Sequence, residues 1–134
     1  MRTAPLKIEA LGELEAAVMN AVWSAGRSAT AREVCDRFTG SRERAYTTIM
    51  TTMDRLHRKG MLLREKDGLA WRYAASMTKA HFEQRLADAL AAKLLRSHGD
   101  AGLAAFVDAA AELSDSGLDR LAAMIAARKR EGRK

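Results

Sequence analysis

Cysteine and long apolar runs are scarce in this sequence, and each shortage excludes a class of protein. The single cysteine, Cys35, excludes an internal disulfide framework. No apolar run approaches the roughly 20 residues that a membrane-spanning helix needs. Acidic residues near the start interrupt any leader-like stretch, so we expect a cytoplasmic protein.

Familiar catalytic motifs are also absent. The sequence contains no glycine-rich phosphate loop, no His-Glu-x-x-His and no Gly-x-Ser-x-Gly. Cys35 and the histidines His57, His81 and His98 have spacings that fit no common zinc pattern. We interpret Cys35 as a small core residue and His57 as a solvated residue at a helix end. The sequence therefore predicts no enzyme, no metal and no cofactor.

Positive charge is what the sequence has in excess, with a net charge of +6 in 134 residues. Residues 1–77 hold 13 basic and 9 acidic side chains, residues 78–127 hold 5 and 7, and residues 128–134 hold 5 and 1. A basic first part favours an anionic polymer as the partner, and ordinary surface charge is the alternative. We assign no specific role to the basic tail.

Three amphipathic helices are predicted in the first part of the chain. Apolar residues recur at three- and four-residue steps over about 10–24. Thr30 and Glu33 form a capping-box pattern, which opens a short helix that Gly40 stops. A third helix fits about 45–59.

A β-hairpin is predicted next, because Asp67-Gly68 separates two short strand-like runs and glycine tolerates the positive φ of a tight turn. Trp71 and Tyr73 share one face of the second run. We interpret both rings as core beneath the hairpin rather than as base-stacking aromatics.

The remaining chain is helical again, with a break at His98-Gly99-Asp100 and thus three more helices. The order of elements predicts a mostly α fold with a small β-hairpin wing. We expect a winged helix-turn-helix over 1–77, then a three-helix dimerisation region with a basic tail over 78–134. In such a fold the third helix enters the major groove and the wing flanks the DNA backbone.

The third helix has two chemically different sides. Ile49, Met53 and Leu56 define the buried side, and we expect the neighbouring Thr52 to be partly buried as well. Hydroxyls and guanidinium groups on the opposite side suit base readout in the major groove, although a solvated face is the alternative. The residues predicted to read bases are Thr47, Thr48, Thr51 and Arg55.

A second set of residues is placed to meet phosphates and to fix the register on the duplex. Some of these cations are alternatively only solvated, and the tyrosine in the set is alternatively a core-edge residue. The predicted backbone contacts are Arg42, Arg44, Tyr46, Arg58, Arg64, Lys66 and Arg72.

The C-terminal helices carry more apolar side chains than one short region can cover, so we predict a homodimer, which also matches a palindromic site. The alternative is that these helices fold back on the winged helix of their own chain. The predicted interface residues are Phe82, Leu86, Leu90, Leu94, Leu103, Phe106, Val107, Leu118, Leu121 and Ile125.

Taken in order, several short motifs resemble the penicillinase-repressor family, which includes the beta-lactamase and methicillin-resistance repressors. They are Leu11-Gly-Glu-Leu-Glu15, Val22-Trp23, Ala45-Tyr-Thr-Thr-Ile49, Arg55-Leu-His-Arg-Lys-Gly60, Asp67-Gly68 and Trp71-Arg72-Tyr73. Each motif is weak alone, and their spacing carries the resemblance over about residues 8–130. The resemblance implies a dimeric repressor that binds palindromic operators on double-stranded DNA.

Two departures from the family pattern bear on function. Many members begin the recognition helix with Ser-Pro-Lys-Thr, whereas this chain has Ala45-Tyr46-Thr47-Thr48. Some members are inactivated when a membrane-sensor metalloprotease cuts an Asn–Phe bond, which corresponds here to Ala105–Phe106. The resemblance thus implies such a partner, but the alanine puts induction by this route in doubt.

The sequence leads to two functional hypotheses. The first is a homodimeric, sequence-specific transcriptional repressor that acts at palindromic operators. The second is a winged-helix protein-interaction module, in which the threonine face meets a protein and DNA is not read specifically. Steep salt dependence of duplex binding separates the two.

Overall fold

The computed structural model describes residues 10–38 and 46–132. The elements within these ranges follow the predicted order, and the mostly helical fold with a small β wing is confirmed. They are α1 Glu13–Ala25, β1 Ala29–Thr30, α2 Ala31–Asp36, α3 Tyr46–Arg58, β2 Leu62–Asp67, β3 Ala70–Ala75, α4 Lys79–Leu113 and α5 Gly117–Gly132. The described residues group into two compact units, divided between Ala89 and Leu90.

Side chains cap the first two helices. The Glu15 carboxylate accepts a hydrogen bond of 3.1 Å from the amide of Gly12, where α1 begins. In α2 the predicted capping box is confirmed, because Thr30 Oγ1 accepts from the Glu33 amide at 3.2 Å and Glu33 Oε1 accepts from the Thr30 amide at 2.9 Å. These bonds satisfy amides that a helix start leaves unpaired. The predicted stop at Gly40 lies outside the described residues.

The predicted hairpin is present and belongs to a three-stranded antiparallel sheet with the order β1-β3-β2. Asp67 pairs with Ala70, so the two turn residues are Gly68 and Leu69, one position later than predicted. Gly68 has a φ of 65°, which only glycine adopts without strain. The two-residue strand β1, paired with β3, was not predicted because it is too short to show an alternating pattern.

One apolar core holds the first unit together. Its side chains come from all three N-terminal helices and the sheet, and they include the three α3 residues predicted to point inward. The buried core consists of Val18, Met19, Val22, Ala29, Ala31, Val34, Ile49, Met53, Leu56, Met61, Leu62, Tyr73 and Phe82. Burial of each larger side chain contributes about 1.5–3 kcal/mol to stability.

The start of α4 packs on this same core, which corrects one predicted dimer contact. Phe82 is only 5% exposed, and its ring centroid lies 5.8 Å from that of Trp23. The Trp23 indole N–H donates to the Met77 carbonyl at 2.9 Å, which joins α1 to the residues preceding α4. Phe82 is therefore a core residue of its own chain rather than an interface residue. Leu86 is half-buried against the same core.

The second unit has a different character, because its apolar side chains remain at the surface of the single chain. α4 is interrupted at Gly99, where φ is 52° and ψ is −127°, so the predicted break divides it into two helices. No residue of α5 is buried. The exposed large apolar residues of this unit are Leu90, Leu95, Leu103, Phe106, Val107, Leu113, Leu118, Met124 and Ile125. Within the described ranges, the apolar stretches of the helices are too short to cross a membrane.

Candidate nucleic-acid interface

Helix α3 presents the predicted polar face to the outside. Thr47, Thr48, Thr51 and Arg55 are all exposed, whereas Ile49, Met53 and Leu56 on the other side are completely buried. The arrangement follows from the helical period, because apolar residues at steps of three and four draw one side into the core. The four residues predicted to read bases are thus all accessible to a ligand.

Two threonine hydroxyls on α3 donate hydrogen bonds to backbone carbonyls one turn earlier. Thr51 Oγ1 donates to the Thr47 carbonyl at 2.9 Å, and Thr52 Oγ1 donates to the Thr48 carbonyl at 2.8 Å. Thr52 is only 3% exposed, so the expectation that it is buried is confirmed. The exposed Thr51 keeps its oxygen lone pairs and its methyl group available for the edge of a base.

The start of α3 is joined to α2 by a stacked arginine. The Arg32 guanidinium carbon lies 4.2 Å from the centroid of the Tyr46 ring, and Tyr46 is half-buried against the core. The ring therefore combines the core-edge position with an exposed cation beside it. Sequence reasoning missed Arg32, since its proximity to Tyr46 arises only when α2 packs on α3.

The cations of the wing differ in the number of ion pairs and ring contacts that they make with other residues of the chain. Arg64 pairs with Asp54 of α3 at 3.0 Å, and its guanidinium lies 4.3 Å from the Trp71 ring centroid. Lys66 is exposed, and its ammonium lies 4.6 Å from the same ring. Tyr73 is buried and Trp71 half-buried against the core, as expected for rings beneath the wing.

Arg72 lies on the other side of the sheet and has three partners within the chain. Its Nε donates to Asp67 at 2.9 Å, and its Nη1 donates to Glu33 at 3.1 Å and to the Ser28 carbonyl at 3.2 Å. The Thr30 amide and the charge of Arg72 lower the pKa of the Glu33 carboxyl. Arg72 thus fastens the wing to α2, a role that the sequence did not indicate.

The end of α3 is fastened to the start of α1. Lys59 Nζ contacts Glu15 Oε2 at 2.8 Å, and both side chains are largely buried. Arg58, one residue earlier, pairs with Asp54 at 2.9 Å while 78% of its side chain stays exposed. Its guanidinium is therefore accessible to a phosphate.

The remaining predicted backbone contacts, Arg42 and Arg44, lie outside the described residues. Within the described residues, the outer face of α3 therefore combines three accessible threonines and Arg55. The exposed cations around it are Arg32, Arg58 and Lys66. Such a face suits the major groove of a duplex, with hydroxyls and a guanidinium for base edges and cations for phosphates.

Comparison with known proteins identifies the family. The family model described as penicillinase repressor matches residues 11–127, which is most of the chain. The chain belongs to the penicillinase repressor family. Two proteins named Transcriptional regulator BlaI, from Mycobacterium tuberculosis strains CDC 1551 and H37Rv, are each 43% identical to it over 68 residues. The match covers 51% of this chain and 49% of theirs, so the chain spans about half the length of these relatives.

Two residues without a predicted functional role, His57 and Cys35, contact other parts of the fold in this member of the penicillinase repressor family. His57 Nδ1 lies 3.0 Å from the Leu62 carbonyl, which joins the end of α3 to β2, so the expectation that it is merely solvated is wrong. Cys35 is half-buried against the apolar core. Throughout residues 10–38 and 46–132, no three His, Cys, Asp or Glu side chains converge to hold a metal ion.

The bond between Ala105 and Phe106, which the sequence resemblance suggested as a possible protease site, lies inside a helix. Ala105 and Phe106 are both exposed within α4, in its second half after Gly99. A protease needs an extended backbone, so cleavage here requires local opening of the helix as well as access to the bond.

The Glu15–Lys59 pair predicts a pH dependence of stability. Burial alone raises the pKa of Glu15, but the hydrogen bonds from Lys59 and Gly12 and the charges of Lys59 and Arg55 lower it overall below 4.5. A lowered pKa means that the pair stabilises the fold above pH 4.5 and that this contribution is lost as the pH falls through the folded-state pKa. We expect Glu15→Gln to lower the free energy of unfolding by about 1–3 kcal/mol at pH 7.

Urea unfolding of the wild type and the variant, measured from pH 7 down to pH 3, checks this expectation. The difference between the two proteins should shrink as the pH falls below 4.5. A difference that stays constant over this range would show that Glu15 contributes through packing rather than through its charge.

Proposed function

We propose that this chain is a homodimeric, sequence-specific transcriptional repressor that acts in the cytoplasm at palindromic operators on double-stranded DNA. The observation that carries the proposal is the exposed face of Thr47, Thr51 and Arg55 on a helix whose opposite face is anchored in the core. Membership of the penicillinase repressor family and the similarity to proteins named as transcriptional regulators support it.

Base reading is assigned to the outer face of α3. Arg55 is long enough to bond a guanine edge through two N–H groups, whereas the threonines offer oxygen acceptors and methyl groups that suit thymine. Because the buried side of α3 is immobilised by Ile49 and Met53, these side chains project from a rigid support.

Phosphate contacts are assigned to the cations that surround this face. Arg58 and Lys66 are exposed in the described region, and Arg32 beside Tyr46 is a further candidate. Arg42, Arg44 and the half-buried Tyr46 remain proposed contacts. Arg64 and Arg72 have partners within the chain, so we assign them to holding the wing in place rather than to contacting phosphate.

Dimerisation is assigned to the second unit. A single chain leaves its large apolar side chains exposed there, and a second copy is the partner that suits a two-fold operator. An apolar groove lined by Phe106, Leu113, Leu121 and Met124 lies between the second half of α4 and α5. The proposed interface residues are Leu86, which is only half-buried at the end of the first unit, and, in the second unit, Leu90, Leu94, Leu103, Phe106, Val107, Leu118, Leu121 and Ile125.

Relief of repression by a membrane-sensor metalloprotease is the route that the family resemblance implies, and two features of this chain oppose it. Alanine occupies the position before Phe106, and the bond lies within a helix. The chain therefore combines an altered cleavage sequence with a backbone conformation that resists cleavage.

Salt dependence of binding to a duplex tests the proposed function. If the five proposed cations of each protomer each neutralise one phosphate, the logarithm of the binding constant of the dimer should fall with the logarithm of salt concentration at a slope of about −9. Fluorescence anisotropy with a labelled duplex from 50 to 300 mM salt measures the slope. If no duplex binds even at 50 mM salt, the alternative of a protein-interaction module replaces the repressor.

A further inference from the structure

Asp54 is the only acidic residue in the recognition helix α3, and both of its carboxylate oxygens are in ion pairs. Oδ1 lies 3.0 Å from Arg64 Nη1, and Oδ2 lies 2.9 Å from Arg58 Nη2. Arg58 is one turn further along α3, whereas Arg64 belongs to β2 of the wing. One carboxylate therefore links the recognition helix to the wing and also restrains an exposed arginine.

The link continues from Arg64 into the wing. The Arg64 guanidinium lies 4.3 Å from the Trp71 ring centroid, and Trp71 belongs to the neighbouring strand β3. Only 24% of the Arg64 side chain is exposed, so its position is restricted by the carboxylate and by the ring together. Asp54, Arg64 and Trp71 thus form a continuous contact from α3 to both strands of the wing.

A carboxylate beside a DNA-binding face carries an electrostatic cost, because it repels the phosphates of any duplex bound there. An isolated surface ion pair contributes little to stability, typically about 0–1 kcal/mol, so stability alone does not offset that cost. The contact of Asp54 with the largely buried Arg64 suggests a different benefit, which is the geometry of the interface.

We propose that Asp54 is a positioning residue for DNA recognition. It fixes the angle of the wing relative to α3 through Arg64, without itself contacting the duplex. Specific binding needs base edges and phosphates to be met in one register, whereas binding to random sequence tolerates a loose wing. Asp54 therefore raises selectivity, and this inference rests on the proposed function.

Asp54→Asn gives opposite results under the two interpretations of this residue. The two probes are a duplex selected by the wild-type protein from a random pool and a duplex of unselected sequence. If Asp54 positions the wing, the affinity for the selected duplex divided by the affinity for the random duplex falls by about five- to tenfold. Affinity for the random duplex stays the same or rises, because a negative charge has been removed. If Asp54 is only a surface charge, both affinities rise together and the ratio is unchanged.

Glu65→Gln is the matched control, because Glu65 is exposed on β2 and the substitution removes the same charge. It should leave the ratio unchanged. Asp54→Glu, which keeps a carboxylate, should recover part of the selectivity. An unchanged ratio in Asp54→Asn would overturn the inference while leaving the repressor proposal intact. A wild type that does not distinguish the two duplexes would overturn both.

A readout without DNA tests the contact itself. The chain has two tryptophans, so the indole N–H signal of Trp71 can be identified in a proton–nitrogen NMR spectrum by its loss in Trp71→Phe. Asp54→Asn should shift the Trp71 signal clearly and the Trp23 signal little. Glu65→Gln should shift both signals less than Asp54→Asn shifts the Trp71 signal. An unmoved Trp71 signal in Asp54→Asn would contradict the proposed link.

Discussion

Replacing Leu90 by glutamate is expected to convert the proposed dimer into a monomer and to weaken binding to a palindromic operator by at least about 100-fold. Leu90 is 54% exposed in the single chain, so the substitution does not disturb a core. In the dimer it would bury a charge without a partner, which is strongly unfavourable. A monomer binds one half-site at a time, so it loses the increase in affinity that a dimer obtains by binding two linked half-sites.

Sedimentation velocity measures the mass, and anisotropy measures the operator affinity of the same samples. The matched control is Ala91→Glu, which adds the same charge at an exposed position on α4 that is not among the proposed interface residues. This control should remain a dimer and keep its affinity. A Leu90→Glu protein with the mass of a dimer would remove this residue from the interface, and a monomeric wild type would contradict the homodimer itself.

Replacing Arg55 by alanine is expected to weaken binding to the selected operator by about 1–3 kcal/mol, which corresponds to about 5- to 150-fold. The guanidinium is exposed on the outer face of α3, so its removal leaves the fold intact. Because a base contact is made only on the correct sequence, binding to a random duplex should change much less. Titration of both duplexes at one salt concentration measures the two losses.

Arg58→Ala provides the comparison, since Arg58 lies on the same helix and its charge is assigned to phosphate. It should weaken both duplexes to a similar extent and reduce the magnitude of the salt slope by about one for each phosphate that is no longer neutralised. If Arg55→Ala gave this pattern instead, Arg55 would bind phosphate and base reading would fall to the threonines alone.

The sequence was sufficient for those parts of the fold that rest on local rules. Three features depend only on neighbours within a few residues. They are the recurrence of apolar residues at steps of three and four in α3, the capping box at Thr30 and Glu33, and the glycine of the hairpin turn. For that reason the exposed face of Thr47, Thr51 and Arg55 could be predicted as well.

Features that depend on tertiary contacts could not be predicted. Phe82 continues the apolar stripe of α4, and no local rule shows that it packs on Trp23 rather than on a second chain. In the sequence, Arg72 and Arg64 have the pattern of unpaired cations on a hairpin. In the structure, Arg72 pairs with Glu33 of α2 and Arg64 pairs with Asp54 of α3. Charge type is visible in a sequence, whereas its pairing becomes visible only once the elements pack.

We propose that two copies of the α3 face read the two halves of one operator. Selection of bound duplexes from a random pool by the wild-type protein tests it most directly. We predict an inverted repeat with half-sites about 10–10.5 base pairs apart, or a multiple of that spacing. Recovery of duplexes that share no sequence, from a protein that binds them tightly at low salt, would contradict the claim.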